Sequence, residues 1–178
     1  MRVSHVLAIL IILGYVIGVI SSKLGLLIYL IQVNSLVYQG YYYQLITSIL
    51  ITDSLIDALF NSLSIIAIDY IFKPKDWKIL LIFLITGILG NSLSLLYGPY
   101  TVSSGASGAL FGVLGYLVTD EVFNEYLKVE AIIFLIIVFI SSSVIPGVDV
   151  LAHIGGLASG VILYIIFRHI GLIPKQGL

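Results

Sequence analysis

The chain contains no cysteine, which excludes disulfides, thiolate chemistry and any cysteine-ligated metal site. Its three histidines, at positions 5, 153 and 169, are too scattered to form a metal-binding cluster, so neither a metal nor a cofactor is expected. Charge is scarce as well: only 10% of the 178 residues are Asp, Glu, Lys or Arg, with a formal net charge of −1. No basic face is available for nucleic acid. In place of charge there is apolar surface, at 60% hydrophobic residues and a mean hydropathy of +1.19. A soluble domain of this size has no means of hiding that much. Several apolar runs approach the roughly 20 residues that a helix needs to cross a bilayer. Composition therefore predicts an all-α membrane protein, embedded in the lipid bilayer and organised as one domain over residues 1–178.

Read in order, the chain predicts six spans. The first covers residues 6–20. It has the length of a signal peptide but no convincing small-x-small cleavage site, and Gly14 and Gly18 form a GxxxG pair suited to packing, so it reads as a retained helix. Residues 23–43 are apolar but interrupted by Gly25, Gln32, Asn34 and Gly40, and end in Tyr41-Tyr42-Tyr43. Tyrosine favours the membrane interface, so this stretch is expected to lie along the outer interface rather than to cross. The second span is expected over residues 44–72. It carries Asp53, Asp57 and Asn61 at four-residue spacing, which places them on one helix face. Polar groups of this kind inside a membrane usually face the protein and mark function. The polar turn Lys73-Pro74-Lys75-Asp76-Trp77-Lys78 leads to a third span over residues 79–96.

The fourth span, residues 107–118, is short. At 1.5 Å per residue even 15 residues cover about 22 Å of a hydrocarbon core of about 30 Å. Such a helix must begin or end below the surface, beside a protected, wet cavity. The fifth span is expected over residues 129–144, a turn at Pro146-Gly147-Val148-Asp149 follows, and the sixth covers residues 150–167. With six spans, Arg2, Lys73, Lys75, Lys78, Lys128, Arg168 and Lys175 fall on the side of the N-terminus and Lys23 alone on the other. This bias predicts a cell-membrane protein with both termini cytoplasmic. The starts of spans four and six then lie at similar depth towards the outside.

Those two starts carry the stretches that stand out chemically. One is Ser103-Ser104-Gly105-Ala106-Ser107-Gly108-Ala109-Leu110-Phe111-Gly112; the other is Ala152-His153-Ile154-Gly155-Gly156-Leu157-Ala158-Ser159-Gly160. Small residues alone mean tight helix packing in a membrane. A serine between glycines on one span and a histidine followed by small residues on another mean more. They resemble the GxSG motif (Gly105 to Gly108) and the AHxxGxxxG motif (Ala152 to Gly160) of the rhomboid family of intramembrane serine proteases. The resemblance covers about residues 40–160 and is specific at these two motifs. It implies a six-helix rhomboid-like bundle with a short fourth helix.

A serine hydroxyl is a weak nucleophile until a base takes its proton, and His153 is the histidine placed to do so. The resemblance implies a Ser107–His153 dyad with no acid behind it. It further implies cleavage of transmembrane protein substrates near the extracytoplasmic face. In the family an aromatic residue stacks on the catalytic imidazole, and Phe111 stands at that place. For the oxyanion, the backbone N–H of Ser107 is one donor. Leu59-Phe60-Asn61 is similar to the family's second-helix pattern ending in Asn, which makes Asn61 the side-chain candidate. Gly108, Gly112, Gly156 and Gly160 supply small faces at four-residue spacing on both helices, so that the two can approach.

The sequence departs from the family in places. Where many members carry histidines before that Asn, this chain has Thr52 and Asp57, and Tyr43-Gln44 stands for the first-loop Trp-Arg pair. A carboxylate at Asp57 would repel an oxyanion, so Asp57 is expected to be turned away or to be a neutral acid that donates a hydrogen bond to the oxyanion site. Two other readings stand beside the protease. A catalytically inactive rhomboid-like protein would bind membrane clients, and Asp57 is the feature that favours it. A small proton-coupled carrier would use Asp53 and Asp57 as intramembrane carboxylates, but leaves the Ser and His motifs unexplained. His153 could also simply bridge helices.

Overall fold

A computed structural model describes residues 2–74, 77–124, 129–144 and 147–173. Lys75 and Asp76 of the expected polar turn, Lys128, Pro146 and Lys175 lie outside the described residues. The described chain is largely helical: α1 (Val3–Lys23), β1 (Gln32–Val33), α2 (Asn34–Tyr38), α3 (Gln44–Thr47), α4 (Leu55–Phe72), α5 (Lys78–Ser94), β2 (Val102–Ser103), α6 (Ser107–Phe123), α7 (Val129–Val144) and α8 (Val150–His169). Four helical segments are long and apolar enough to cross a membrane: Val3–Lys23, Leu55–Phe72, Lys78–Tyr97 and Val150–His169. Helices α6 and α7 are shorter, at 17 and 16 residues. This is a membrane protein with several apolar helices.

The lipid-facing character shows in which side chains are inside. On α1 the buried positions are Ser4, Leu7, Ile11, Gly14, Gly18 and Ser21, a stripe of alternating three- and four-residue spacing. Ile9, Leu13, Val16, Ile17 and Ile20 point outward. Apart from Leu7 and Ile11 the inside is small, and large apolar residues face out, which inverts the pattern of a soluble helix and suits one that packs closely in lipid.

Two boundaries differ most from expectation, while α1 runs three residues further at each end than the expected 6–20. The segment expected to be one span over residues 44–72 is divided: α3 ends at Thr47, and α4 starts only at Leu55. The cause is local. Ser54 takes an extended conformation and its Oγ accepts from the Asp57 N–H at 3.2 Å, an N-cap that stops the helix from running back. Asp53 therefore lies before the cap and off the helix, accepting from Ser22 Oγ at 3.0 Å. The expected stripe of three reduces to Asp57 and Asn61. The short helix α6 also runs on to Phe123, past the expected end at residue 118, and so includes Thr119, Asp120 and Glu121. Thr119 Oγ1 donates back to Gly115 O at 2.6 Å, and Asn124 Nδ2 donates to Asp120 Oδ1 at 2.8 Å, which satisfies polar groups at the helix end.

Glycines set the helix contacts. A β-carbon on Gly14 would sit 2.0 Å from Leu50 O, and one on Gly18 would sit 2.1 Å from Thr52 O. The GxxxG pair of α1 therefore packs as expected, but against the irregular chain before α4 rather than against a helix. Helices α5, α6 and α8 form the tightest group. Gly90 of α5 lies against Ala152 O of α8, and Gly156 of α8 against Gly108 O of α6.

Residues 24–54 hold no helix longer than five residues, and buried amides tie them down. Gln32 Nε2 donates to Asn34 Oδ1 (2.8 Å) and Asn91 O (3.0 Å). Asn34 Nδ2 donates to Ser94 O and Gly98 O, and Gln44 bridges Ile28 O and the Val33 N–H. Asn91 Nδ2 donates to Leu45 O and Ser48 Oγ, both at 2.9 Å. Irregular backbone in a membrane protein needs such partners, because lipid offers none. The result is a fixed platform on which β1 pairs antiparallel with β2, Gln32 opposite Ser103. Strand β2 delivers the chain to Ser107.

Charged residues segregate to the two ends. At one end Arg2 pairs with Asp69 at 2.6 Å, Lys78 Nζ donates to Leu172 O, and Arg168 lies 4.8 Å over the Phe123 ring. Ser22 and Asp53 meet at the other end, beside Lys23 and the starts of α4, α6 and α8.

Candidate active site

Gly105 precedes α6 with φ +103°, a conformation that L side chains rarely adopt. Its N–H donates to Ser48 O at 2.8 Å, which ties the turn to the amide platform. Ala106 then caps the helix, and Ser107 is its first residue. The Ser107 N–H is thus among those that an α-helix leaves without an intrahelical partner. On the neighbouring helix, Asp149 caps α8 by accepting from the Ala152 N–H at 2.8 Å. His153 follows one turn later.

The two side chains meet. His153 Nε2 lies 2.7 Å from Ser107 Oγ. His153 is 1% exposed, whereas Ser107 is partly open and lines a cavity of about 550 Å³. The approach depends on backbone meeting backbone. A β-carbon on Gly156 would lie 1.9 Å from Gly108 O, and one on Gly160 would lie 2.0 Å from Gly112 O. Gly108 is less tight, at 3.1 Å from Ala152 O. The Cα of Gly112 faces α5 instead, where an added β-carbon would overlap Thr86 Cβ at 2.1 Å. The expected pairing of four glycines across α6 and α8 is therefore partial: Gly112 offers α8 its carbonyl and offers α5 its bare Cα.

Phe111, one turn after Ser107, does reach the imidazole. The ring centroids are 4.6 Å apart with the planes tilted by 41°, and Phe139 of α7 closes edge-on against Phe111 at 5.6 Å. The expected aromatic contact is present as a tilted rather than a parallel stack.

Asp57 and Asn61 line the same cavity as Ser107. Asn61 Nδ2 donates to Asp57 Oδ1 at 2.9 Å, so the two residues act as a pair. Asp57 Oδ2 presses on Gly105, at 2.4 Å from where a β-carbon would be, and takes no hydrogen bond from the described residues. Gly105 is thus small for two reasons, its backbone angle and the carboxyl packed against it. The Asn61 amide has two hydrogens; one is held by Asp57, which orients the other.

Two contributors escaped the sequence reading. Asp149 accepts from Ser103 Oγ (2.6 Å) and from Ser94 Oγ as well as capping α8, and so joins α5, β2 and α8 around the site. Its spacing to Ala152, three residues on, is the N-cap signal that was there to find. Ser142 of α7 lies 3.3 Å from His153 Nδ1, and nothing local in its apolar, serine-tipped helix marks it.

The cavity is lined from α4, α6 and α7, with apolar residues that include Phe60 of α4, Leu110 and Leu114 of α6 and Ile137 of α7. Its lining includes the Ser107 hydroxyl, which is in contact with the imidazole of His153, the N-terminal residues of α6 and the oriented Asn61 amide. That set can take up a proton from an attacking oxygen and bind a developing negative charge.

Comparison with known proteins bears on the family. The rhomboid domain family matches residues 39–170. The chain is 31% identical over 154 residues to RHOMBOID-like protein 1 of Arabidopsis thaliana, covering 82% of this chain and 39% of that protein. It is 33% identical over 151 residues to the rhomboid protease GluP of Bacillus subtilis (strain 168), covering 81% of this chain and 29% of that one. It is also 29% identical over 105 residues to inactive rhomboid protein 1 of Rattus norvegicus, covering 53% of this chain and 12% of the relative. The chain spans well under half the length of each.

Proposed function

Because the chain belongs to the rhomboid family, we propose that it is an intramembrane serine endopeptidase in which Ser107 is the nucleophile and His153 the general base. The observation that carries the reading is the 2.7 Å contact between Ser107 Oγ and His153 Nε2, with Ser107 lining a cavity whose residues are largely apolar. In this reading Ser107 Oγ bonds to the scissile carbonyl carbon while its proton passes to His153 Nε2. The same proton then goes to the departing amine as the C–N bond breaks, and water repeats the sequence to release the acyl group. The Ser107 N–H and the second Asn61 amide hydrogen bind the oxyanion. Phe111 holds the imidazole plane. No cofactor takes part.

The substrates are transmembrane proteins. An extended segment entering between α4 and α7 brings its side chains against Phe60 and Ile137 and its carbonyl to Ser107. The chain is one rhomboid-like domain of six spans in the cell membrane, with the 17-residue α6 as the fourth span and both termini cytoplasmic. Arg2, Lys78 and Arg168 at one end of the bundle support that orientation. Cleavage then falls near the extracytoplasmic face, where α6 and α8 begin.

Similarity to inactive relatives gives a client-binding protein as the second reading. The presence and contact of both Ser107 and His153 favour the protease. The test is labelling with a fluorophosphonate probe in detergent, alongside cleavage of a generic transmembrane substrate. Both signals are expected in the unmodified chain and neither in Ser107→Ala. A folded chain that gives neither signal supports the client-binding reading.

A further inference from the structure

A neutral imidazole carries one proton, and only one of its two tautomers can act on Ser107. The proton must sit on Nδ1, so that Nε2 presents a lone pair to the serine hydroxyl. In the triad template a buried carboxylate fixes this choice. Here the nearest carboxylate on the same helix, Asp149, is engaged by the Ala152 N–H and by the Ser94 and Ser103 hydroxyls. The group at His153 Nδ1 is instead the hydroxyl of Ser142, at 3.3 Å.

A serine hydroxyl has one hydrogen to give and lone pairs to receive. Ser142 spends its hydrogen on Phe139 O, one turn back in α7, at 2.9 Å. What it then offers the ring is a lone pair, which requires a hydrogen on His153 Nδ1. Nε2 is left bare, 2.7 Å from Ser107 Oγ. The opposite tautomer would set the Nδ1 lone pair against the Ser142 lone pairs, or cost the hydrogen bond to Phe139. We propose that Ser142 is the positioning residue that holds His153 in its Nδ1–H tautomer, so that the site works as a Ser107–His153–Ser142 relay of hydrogen bonds. The proposal rests on the reading of Ser107 and His153 as nucleophile and base. When Ser107 gives its proton to Nε2, the imidazolium keeps its Nδ1 hydrogen on Ser142 Oγ; no second proton moves.

Ser142 belongs to α7, while Ser107 and His153 belong to α6 and α8. The helix that forms one wall of the cavity thus also sets the state of the base.

The experiment uses the full chain in detergent, with Ser142→Ala, Ser142→Val and Ser142→Thr. Threonine keeps the hydroxyl, and valine has the same shape without it. The first readout is the ¹⁵N spectrum of the neutral His153 ring, assigned by its loss in His153→Ala. The unmodified chain and Ser142→Thr are expected to show a protonated Nδ1 and a bare Nε2, and Ser142→Ala and Ser142→Val a mixture of tautomers. The second is cleavage of a transmembrane substrate. Loss of the partner that orients a metal-bound histidine costs about 10–100-fold; a loss of that order is expected in kcat for Ala and Val, with KM little changed and Thr close to the unmodified chain. An unchanged ring spectrum in Ser142→Ala and Ser142→Val overturns the proposal, as does a tautomer change without loss of kcat or a threonine variant no better than valine. If the unmodified chain neither cleaves nor takes up the fluorophosphonate, the protease reading fails, while the ring spectra still decide whether Ser142 sets the tautomer.

Discussion

Gly156 of α8 rests on the carbonyl oxygen of Gly108 in α6 so closely that a β-carbon there would stand 1.9 Å from that oxygen. No rotamer relieves such an overlap, because both partners are backbone. The helices would have to part, and His153, one turn before Gly156, would part from Ser107.

The contacts rank the substitutions to alanine. Gly156→Ala and Gly160→Ala meet backbone oxygen at 1.9 and 2.0 Å, whereas Gly108→Ala meets it at 3.1 Å. A misplacement of about 1 Å can cost about a hundredfold in rate. Gly156→Ala and Gly160→Ala are expected to lose about that much or more, with Gly108→Ala distinctly milder. Gly112→Val is expected to be damaged as well, by pushing α5 away at Thr86. Initial cleavage rates on detergent-purified variants of equal secondary structure check the order; equal activity for Gly156→Ala and Gly108→Ala would contradict it.

Replacing either Ser107 or His153 by alanine is expected to abolish cleavage of a transmembrane substrate and leave the fold intact. The two lose nearly the same amount singly and together, since neither acts without the other. Single- and double-variant rates, with melting temperature as the control for folding, check this. Additive losses would show that the two residues do not work as a unit.

The meeting of Ser107 with His153 could be foreseen from the two motifs, because each pairs a chemically distinct side chain with small neighbours at helical spacing. The aromatic contact of Phe111 was implied by the family resemblance, with its place one turn after Ser107 putting it on the same face. Less visible was the break before α4: apolar Ile49, Leu50 and Ile51 read as helix, and only the Ser54 cap reveals the boundary. Gly112 misled for a related reason. Four-residue spacing says that a helix has a small face but not which neighbour meets it, and here α5 takes the Cα while α8 takes the carbonyl. Ser142 was illegible outright, since its role depends on how α7 docks, a long-range fact with no local pattern.

Asp57 is expected to act through Asn61. Asparagine at position 57 still offers an oxygen to Asn61 Nδ2, so Asp57→Asn should retain most of the rate. Asp57→Leu removes the acceptor and frees the Asn61 amide to rotate, and should lose an amount approaching that of one oxyanion donor, about a hundredfold. If Asn61→Ala is then combined with Asp57→Leu, the double variant should be little worse than Asn61→Ala alone. A fully active Asp57→Leu would mean that Asn61 needs no holding.

Orientation can be tested in the same chain, which has no cysteine of its own. Single cysteines at Lys75 and at Tyr100, which is 97% exposed, lie in loops expected on opposite sides. An impermeant thiol reagent added to whole cells should label Tyr100→Cys and leave Lys75→Cys unlabelled until the membrane is opened. Labelling of Lys75→Cys from outside would reverse the topology.

Asp149 separates a structural from a catalytic carboxylate. It stands one turn before His153, where a triad acid would be sought, but its oxygens are taken by the Ala152 N–H and by the hydroxyls of Ser94 and Ser103. An acid that orients the base loses about 10⁴-fold in kcat when changed to its amide, because the imidazole then holds the wrong tautomer. A cap keeps most of its value in asparagine, which is about as good an N-cap as aspartate, and loses about 0.5–2 kcal/mol in alanine. Asp149→Asn is therefore expected to lower kcat by no more than about tenfold, well short of that triad loss. Asp149→Ala should lower the melting temperature, since it removes the cap of α8 and strands two buried hydroxyls, on Ser94 and Ser103, which are 0% and 8% exposed. Its activity should fall in step with its stability and recover at lower temperature. A collapse of kcat in Asp149→Asn at unchanged melting temperature would make Asp149 the acid of a triad, and would transfer to it the part assigned to Ser142.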